Sequence, residues 1–337
     1  MAALGALMIC GLAVEAQAGA GAGAIDLTFP IGARYNAMGE AGTALSQDAT
    51  ALWWNTGGLA FLPTRARNKD VQMMTSKLAE GLADDIRLTW FGGARPLGDI
   101  GAIGASFNYL DMGSQMGVDE DNNETGEFDS YMFSVSAGYG VRVARTLGIG
   151  VAIKYFRDNL APDQTIQDGV VGGGSGDSFG VDFGALWKIP QLKSMVGLSI
   201  ANLGPDITHV DAAQSDPMPR KATLGTAVSV VNGEYGGVLF VADLLVPLYK
   251  WQDNDYTVGL EFDQKEYGAG IEANYDYSLF LRLGYKSAEY GDISDLTYGM
   301  GVDLEKWTGR AFIFDFAWVP QAEGLPHVSR LTAGYRF

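Results

Sequence analysis

The chain has 337 residues, of which 47% are hydrophobic and 19% charged, so a large apolar surface must be buried in a core or placed in lipid. With 23 Lys and Arg against 40 Asp and Glu, the net charge of -17 repels nucleic-acid phosphates, and we expect no nucleic-acid partner. The 46 glycines and 11% aromatic residues favour short strands and tight turns over a helical protein.

The first segment has the pattern of a secretory signal peptide. Residues 3–14 form an apolar run that is too short to span a bilayer as a helix but has the length of a signal-peptide core. Ala16 and Ala18 supply the small-x-small cleavage motif, so we predict a signal peptide over residues 1–18. Cys10 leaves a lipoprotein signal as the alternative, although a bulky residue precedes it where that signal requires a small one.

The next segment does not alternate and is rich in small residues. Such a segment can pack tightly in a confined space, and a helix over about residues 48–54 would fill the lumen of a barrel. We therefore predict an N-terminal plug or hatch segment over residues 19–66. An ordinary short helix on the periplasmic side is the alternative.

From about residue 67 onward, apolar and polar residues alternate with a period of two. This pattern is typical of an antiparallel strand with lipid on one side and a polar lumen on the other. In the run 130–143, Phe133 and Val135 lie on the apolar face, and Ser134 lies on the polar face. Similar runs occupy residues 71–78, 86–97, 100–111, 147–157, 178–188, 195–203, 221–231, 238–246, 256–263, 269–275, 279–286, 297–304, 311–318 and 330–337. The pattern predicts an all-β fold, a transmembrane antiparallel β-barrel over residues 67–337 with a small N-terminal helical plug.

The lengths of the connections test this assignment. Outer-membrane barrels have short periplasmic turns and longer extracellular loops, with both chain ends on the periplasmic side. The predicted connections alternate between short and long, except between residues 264 and 278. Treating residues 268–286 as one long, bulged strand restores the alternation and gives fourteen strands, whereas a turn at 276–278 gives fifteen. We predict fourteen.

The last predicted strand ends in an aromatic residue. Leu331, Ala333, Tyr335 and Phe337 lie on its apolar face. A terminal aromatic residue on an alternating strand is similar to the signal that the barrel insertion machinery reads in bacterial outer-membrane proteins. We therefore expect Tyr335 and Phe337 to form the insertion signal, and we expect a barrel in the bacterial outer membrane, in contact with its lipid and lipopolysaccharide.

The small-residue segment also carries a recognisable motif, G-x-R-x-x-x-M-G-x-A-G-x-A, followed by an Asp and then by W-N-x-x-G-L. The matching residues are Gly32, Arg34, Met38, Gly39, Ala41, Gly42, Ala44, Asp48, Trp54, Asn55, Gly58 and Leu59. Further on, residues 270–272 and 281–285 look like paired G-x-E and L-R-x-G-Y elements. With these residues the chain resembles the PorV/PorQ family, which is itself similar to the FadL family of long-chain fatty-acid transporters.

The resemblance implies a barrel of fourteen strands with an N-terminal plug. The plug motif would consist of Arg34, Met38, Gly39, Gly42, Asp48, Trp54 and Asn55. The resemblance further implies a type IX secretion component that shuttles or anchors secreted cargo proteins and contacts the secretion translocon. A FadL-like passive transporter of hydrophobic small molecules and a structural scaffold barrel are the alternatives. Glu40, Thr56 and Gly57 stand where the family usually has Gly, Pro and Ala, which leaves the turn after Asn55 open.

Nothing in the sequence predicts catalysis or a cofactor. His209 and His327 fall in predicted loops far apart in sequence, and we interpret both as solvated loop residues. The loop from residue 119 begins like an EF-hand, but Glu124 occupies the required glycine position and Ser130 the position of the closing Glu. Weak surface calcium binding is the alternative to a plain loop. We expect no enzyme activity, no cofactor and no built metal site.

Overall fold

The computed structural model describes residues 23–63, 68–79, 83, 85–118, 124–165, 171–209, 215–249, 259–260, 264–288, 293–321 and 325–337. The predicted signal peptide, residues 119–123 of the loop that begins like an EF-hand, and most of the predicted strand 256–263 lie outside the described residues. Among the described residues, none of the helices has the length and hydropathy that crossing a membrane requires.

The alternating runs form strands that pair with their neighbours in an antiparallel sense. Their bounds are β1 Asp70–Lys77, β2 Arg87–Pro96, β3 Ala102–Val118, β4 Glu124–Arg142, β5 Leu147–Thr165, β6 Val171–Ile189, β7 Ser194–Leu203, β8 Lys221–Gly233, β9 Gly236–Tyr249, β10 Gly259–Leu260, β11 Glu266–Tyr275, β12 Leu279–Ala288, β13 Ile293–Asp303, β14 Ala311–Val319 and β15 Val328–Arg336. Because β1 pairs with β15 and β8 pairs with β9, the sheet closes on itself. No sheet edge is then left in the membrane.

The predicted total of fourteen wall strands is confirmed, but one assignment behind it is wrong. Residues 268–286 are two paired strands, β11 and β12, rather than one bulged strand. The turn between them contains Asp276 and Tyr277 at φ 56° and 55°, a left-handed conformation in which glycine is the more usual residue. The total is still fourteen because the predicted strand 256–263 is not counted as a wall strand. In the described residues it is represented by β10, a two-residue piece paired with the end of β9.

The two faces of the wall are those that the alternation predicts. In β4, Val135 and Tyr139 are 45% and 38% exposed on the outside, whereas Ser134 and Ser136 are 4% and 5% exposed on the inside. An outer surface of apolar side chains on a closed barrel is the surface that lipid covers. The barrel therefore spans a lipid bilayer.

Residues 23–63 lie inside the barrel, and we call this segment the plug. Its short helices are 3-10 Ile25–Leu27, α1 Ala33–Asn36, α2 Ala51–Trp54 and 3-10 Thr56–Phe61. At one end the amide of Gly23 donates to the carbonyl of Pro217 at 2.9 Å, in the long, extracellular connection between β7 and β8. At the other end Ala60 packs against Gly148, beside the short turn between β4 and β5. The plug thus runs from the extracellular to the periplasmic end of the lumen.

Candidate functional site: the plug and the wall around it

Glycines in β11 and β12 let the plug touch the backbone of the wall. A β-carbon added at Gly270 would lie 2.5 Å from Cα of Met38, and one added at Gly284 would collide with the amide nitrogen of Gly39. Gly39 has φ +71° and would itself collide with the carbonyl of Tyr285 if it had a side chain. Glycine is therefore required on both sides of this contact.

The opposite wall holds the turn after Asn55. The side-chain Nδ2 of Asn55 donates to the carbonyls of Thr43 at 2.8 Å and Ala185 at 2.9 Å, and its Oδ1 accepts from the backbone amide of Gly57 at 3.0 Å. A β-carbon at Gly57 would lie 2.8 Å from Cα of Ala185. The wall therefore lies too close to position 57 for a side chain, which accounts for glycine where the family usually has alanine.

Arg34 joins the plug to a buried ionic network. Its Nε and Nη2 donate to the two carboxylate oxygens of Glu272 at 2.9 and 2.7 Å, a bidentate geometry. Arg282 also donates to Glu272, at 2.7 Å, and to Asp315 at 2.6 Å. Burial alone would lower the pKa of Arg34, but the charge of Glu272 outweighs it and raises this pKa. The paired G-x-E and L-R-x-G-Y elements thus meet at Glu272 and Arg282, with the motif arginine as their third member.

Glu40, another departure from the family pattern, makes a second ionic contact. Lys286 Nζ donates to Glu40 at 2.6 Å, and Arg330 Nη1 lies 3.5 Å from its other oxygen. Burial would raise the pKa of Glu40, but these two cations outweigh it and hold the pKa below its usual range. The carboxylate therefore stays ionised and adds a tie between plug and wall that a glycine could not make.

Asp243 holds the plug from β9. Its Oδ2 accepts from the backbone amides of Gly42 at 3.0 Å and Thr43 at 2.9 Å. Gly42 also has no room for a side chain, since an added β-carbon would lie 2.5 Å from the ring of Trp54. No sequence motif includes Asp243. Its only signal was a carboxylate at an inward position of an apolar strand.

Asp48 and Trp54 act within the plug rather than on the wall. Asp48 Oδ1 accepts from the amide of Thr50 at 2.9 Å, and the hydroxyl of Tyr35 lies 3.3 Å from Oδ2. Trp54 Nε1 donates to the carbonyl of Ile31 at 3.0 Å. Of the predicted plug motif, Arg34, Met38, Gly39, Gly42 and Asn55 therefore contact the wall, and these two residues shape the plug itself.

The seam between the first and last strands also contacts the plug. The amide of Ala33 donates to Thr332 Oγ1 of β15 at 2.9 Å, and Arg330 donates to the carbonyl of Pro30 at 2.7 Å. From β1, Asp70 Oδ1 accepts from the amide of Ala49 at 3.0 Å. Both strands of the seam are thus bound to the plug as well as to each other.

The extracellular end of the plug packs in an apolar cluster that contains one buried carboxyl group. Leu27, Phe156 and Ile207 are fully buried there. Asp26 is 0% exposed and accepts from Asn108 Nδ2 at 3.2 Å. Burial raises the pKa of Asp26 to about 7, although the hydrogen bonds oppose this change.

His209 belongs to the loop that covers this cluster. Its Nε2 lies 2.7 Å from the carboxylate of Asp158, which is 1% exposed, and its own side chain is 16% exposed. The hydrogen bond with Asp158 raises the pKa of His209. The interpretation of His209 as a solvated residue is therefore wrong, because the loop folds inward. His327 is 28% exposed and lies 3.4 Å from Asp295.

Small cavities lie between the plug and the wall. The one lined by Glu40, Trp53, Lys221, Glu266 and Lys286 has a volume of about 90 Å³, and the one lined by Leu59, Ala60, Leu62 and Arg142 has a volume of about 180 Å³. Sites for drug-sized ligands have volumes of roughly 300–1,000 Å³. No group of metal-binding side chains occurs among the residues that the structure describes. Each of these two cavities is smaller than such a site.

The predicted insertion signal lies on the lipid face. The Tyr335 ring stacks on Phe312 at a centroid distance of 4.5 Å, and the Phe337 ring stacks on Tyr335 at 5.7 Å. Lys69 Nζ lies 5.2 Å from the Phe337 ring, beside the periplasmic end of the wall. The structure places both aromatic residues outward and leaves their part in insertion a prediction.

A closed barrel with an apolar outer face and a lumen filled by an N-terminal segment defines a plugged outer-membrane barrel. The model of one such family, described as "Type IX secretion system protein PorV", matches residues 22–250. The chain belongs to this PorV family. The barrel therefore lies in the outer membrane.

Solved structures show the same fold at low sequence identity. The toluene transporter TodX of P. putida is 14% identical, with a TM-score of 0.56, 91% of this chain and 98% of that chain being covered. The monoaromatic hydrocarbon channel CymD is also 14% identical, with a TM-score of 0.57 and coverages of 91% and 97%. A FadL homologue of Pseudomonas aeruginosa is 11% identical, with a TM-score of 0.51 and coverages of 90% and 98%. No curated protein is similar enough to this chain to count as a relative.

Proposed function

We propose that this barrel serves type IX secretion at the outer membrane as a shuttle or anchor for secreted proteins, in contact with the secretion translocon. The observation that carries the proposal is the match to the PorV family over residues 22–250. The proposed division is a signal peptide at 1–18, a plug at 19–66 and a barrel at 67–337. Neither the family nor the described residues give a reason to propose an enzyme or a cofactor.

The fixed plug supports this role. Arg34, Glu40 and Asn55 tie the plug to three parts of the wall. Breaking a buried ionic contact by removing one partner costs about 3–5 kcal/mol, and the contact between Glu40 and Lys286 is of this kind. A lumen that is held shut in this way favours work at the extracellular rim over passage through the barrel.

The rim offers surface for a protein partner. Strands β3 to β6 are 17 to 19 residues long, whereas about 9–11 residues cross a membrane. The ladder between β4 and β5 ends at the pair Tyr131 and Asn159. Above that pair the β3–β4 and β5–β6 hairpins project separately, and we propose that secreted cargo binds there.

Transport of hydrophobic small molecules is the second candidate. It is supported by the shared fold with TodX and CymD and by the apolar cluster around Leu27 and Phe156 at the extracellular end. It requires the plug or the loop carrying His209 to move, since the cavities between the plug and the wall are small.

The test shortens the β5–β6 hairpin by replacing residues 160–175 with a two-residue turn. We avoid the loop 205–219, because Ile207 and Met218 are buried in the apolar cluster at the extracellular end. Long surface hairpins tolerate shortening, so the barrel should still fold. In cells that rely on this variant, secreted proteins that normally attach to the surface should appear in the medium or be retained.

A second variant shortens the β3–β4 hairpin by replacing residues 114–128 in the same way, and loss of attachment in one variant or in both shows which hairpins hold the cargo. If both variants, and also cells lacking the protein, display secreted proteins normally, the secretion role is excluded. Accumulation of a hydrophobic compound that depends on the intact plug would then support the transporter.

A further inference from the structure

The lipid face of β11 to β15 and β1 contains an apolar groove. It has a volume of about 950 Å³, and the outward side chains of Met73, Leu281, Met300 and Phe314 line it around the small Ala333. This volume lies at the upper end of the range for sites that bind small molecules. Because the groove opens on the lipid face, a hydrocarbon chain is the occupant that the membrane supplies.

Below the groove, a row of outward basic side chains lies at the periplasmic end of the wall. Lys69 and Phe337 exchange backbone hydrogen bonds of 3.0 and 2.9 Å, which continue the register of β1 and β15. The pairing of β1 with β2 places Arg95 beside Lys69, and the pairing of β14 with β15 places Arg310 beside Phe337. We call the three cations Arg95, Lys69 and Arg310 the basic row, in which Phe337 occupies the position between Lys69 and Arg310.

The cations of the basic row are available to an anion. Arg95, Lys69 and Arg310 are exposed, and none of them is within ion-pair distance of a carboxylate side chain in the described part of the chain. At a spacing of about 4.8 Å between strands, the four positions span roughly 15 Å, within reach of one lipid headgroup for their long side chains.

We propose that the groove and the basic row form one site for an anionic phospholipid of the periplasmic leaflet. The acyl chains occupy the groove, and the phosphate lies against Lys69 and its neighbours. Phe337 is four residues from Ala333, which corresponds to about 13 Å along the strand. The stacked rings of Tyr335 and Phe312 lie between them, at the level where aromatic side chains mark the membrane interface.

The first test uses the unmodified barrel and native mass spectrometry. The protein is released from detergent after equilibration with phosphatidylglycerol or with phosphatidylcholine of the same chain length. We expect one phosphatidylglycerol to be retained in preference to phosphatidylcholine. Equal retention of the two lipids would overturn the charge part of the proposal without any variant.

The second test removes the charges. Because each basic side chain near an anionic surface contributes about fivefold in affinity, Lys69→Gln or Arg310→Gln should weaken phosphatidylglycerol retention about fivefold. The triple variant that adds Arg95→Gln should weaken it about 100-fold. Arg145→Gln, an exposed cation in the turn between β4 and β5, is the matched control and should change nothing.

The third test fills the groove without changing charge. Ala333→Phe should abolish retention of either lipid, whereas Ala137→Phe, the same change at another lipid-facing position, should leave it unchanged. Both variants should keep the heat-resistant electrophoretic mobility of a folded barrel. Retention by Ala333→Phe equal to that by Ala137→Phe would show that the groove holds no lipid, and the proposal would fail.

Discussion

The contact between the wall glycines and the plug makes a sharp prediction about Gly270→Ala. The new β-carbon would lie 2.5 Å from Cα of Met38. Carbon atoms pack at about 3.5–4.0 Å, so the plug backbone must withdraw by about 1 Å or more. Overpacking of this kind costs typically 1–3 kcal/mol, and here the cost falls on the docked plug.

Such a loss would increase the undocked population about 5- to 150-fold. We therefore expect Gly270→Ala to show brief ion-conducting openings in planar bilayers that the unmodified barrel shows far less often. Its barrel should remain folded, because the strand pairing of β11 involves backbone atoms that a methyl group does not touch. Fluorescence of Trp53 and Trp54 should report the displaced plug in the same sample.

Gly180→Ala is the matched control. Gly180 also faces inward, but its added β-carbon would lie 3.5 Å from Cα of Asn202, an ordinary contact. The control should behave as the unmodified barrel does. Identical conductance and identical stability of the two variants would refute the tight contact between the plug and β11.

Three further predictions follow from the site. Arg34→Met should lower the free energy of unfolding by about 2–3 kcal/mol, which is below the usual cost of breaking a buried pair because the Arg34 side chain is 32% exposed. A double-mutant cycle with Glu272→Gln in urea titrations should show coupling between the two residues, and additive effects would contradict the ion pair. Since the pKa of Asp26 is raised to about 7, its protonated form stabilises the fold below about pH 4, and up to roughly 4 kcal/mol of the free energy of unfolding is lost as pH rises toward 7. Asp26→Asn should flatten this pH dependence of stability, and an unchanged pH profile in the variant would refute the prediction. Phe337→Ala should slow assembly into the outer membrane, measured by pulse-chase of heat-modifiable barrel, whereas Leu331→Ala on the same face should not.

The wall could be predicted because lipid and lumen impose opposite chemistry on alternate residues. Ser134 and Val135 are neighbours in sequence and lie on opposite faces, as the alternation predicts. The upper parts of β3 to β6 were missed, because above the membrane both faces meet water and the alternation weakens. The turn at Asp276 and Tyr277 was misread because neither residue is glycine.

The plug contacts could be predicted only in part. The motif identified Arg34 and Asn55, but a pair such as Arg34 and Glu272, 238 residues apart, is brought together only by the closed barrel. Asp243 gave no sequence signal beyond a carboxylate in an apolar strand. Such partners depend on which inward position comes to lie beside which part of the plug, and local patterns do not contain that information.

The seam has a consequence for the order of assembly. Thr332 and Arg330 of the last strand and Asp70 of the first strand bind the plug as well as lining the joint. A segment enclosed on all sides by a continuous wall would have to be threaded in lengthwise if it arrived late. We therefore expect the plug to lie against the growing sheet when the first and last strands meet, so that closing the wall and enclosing the plug become a single step in biogenesis.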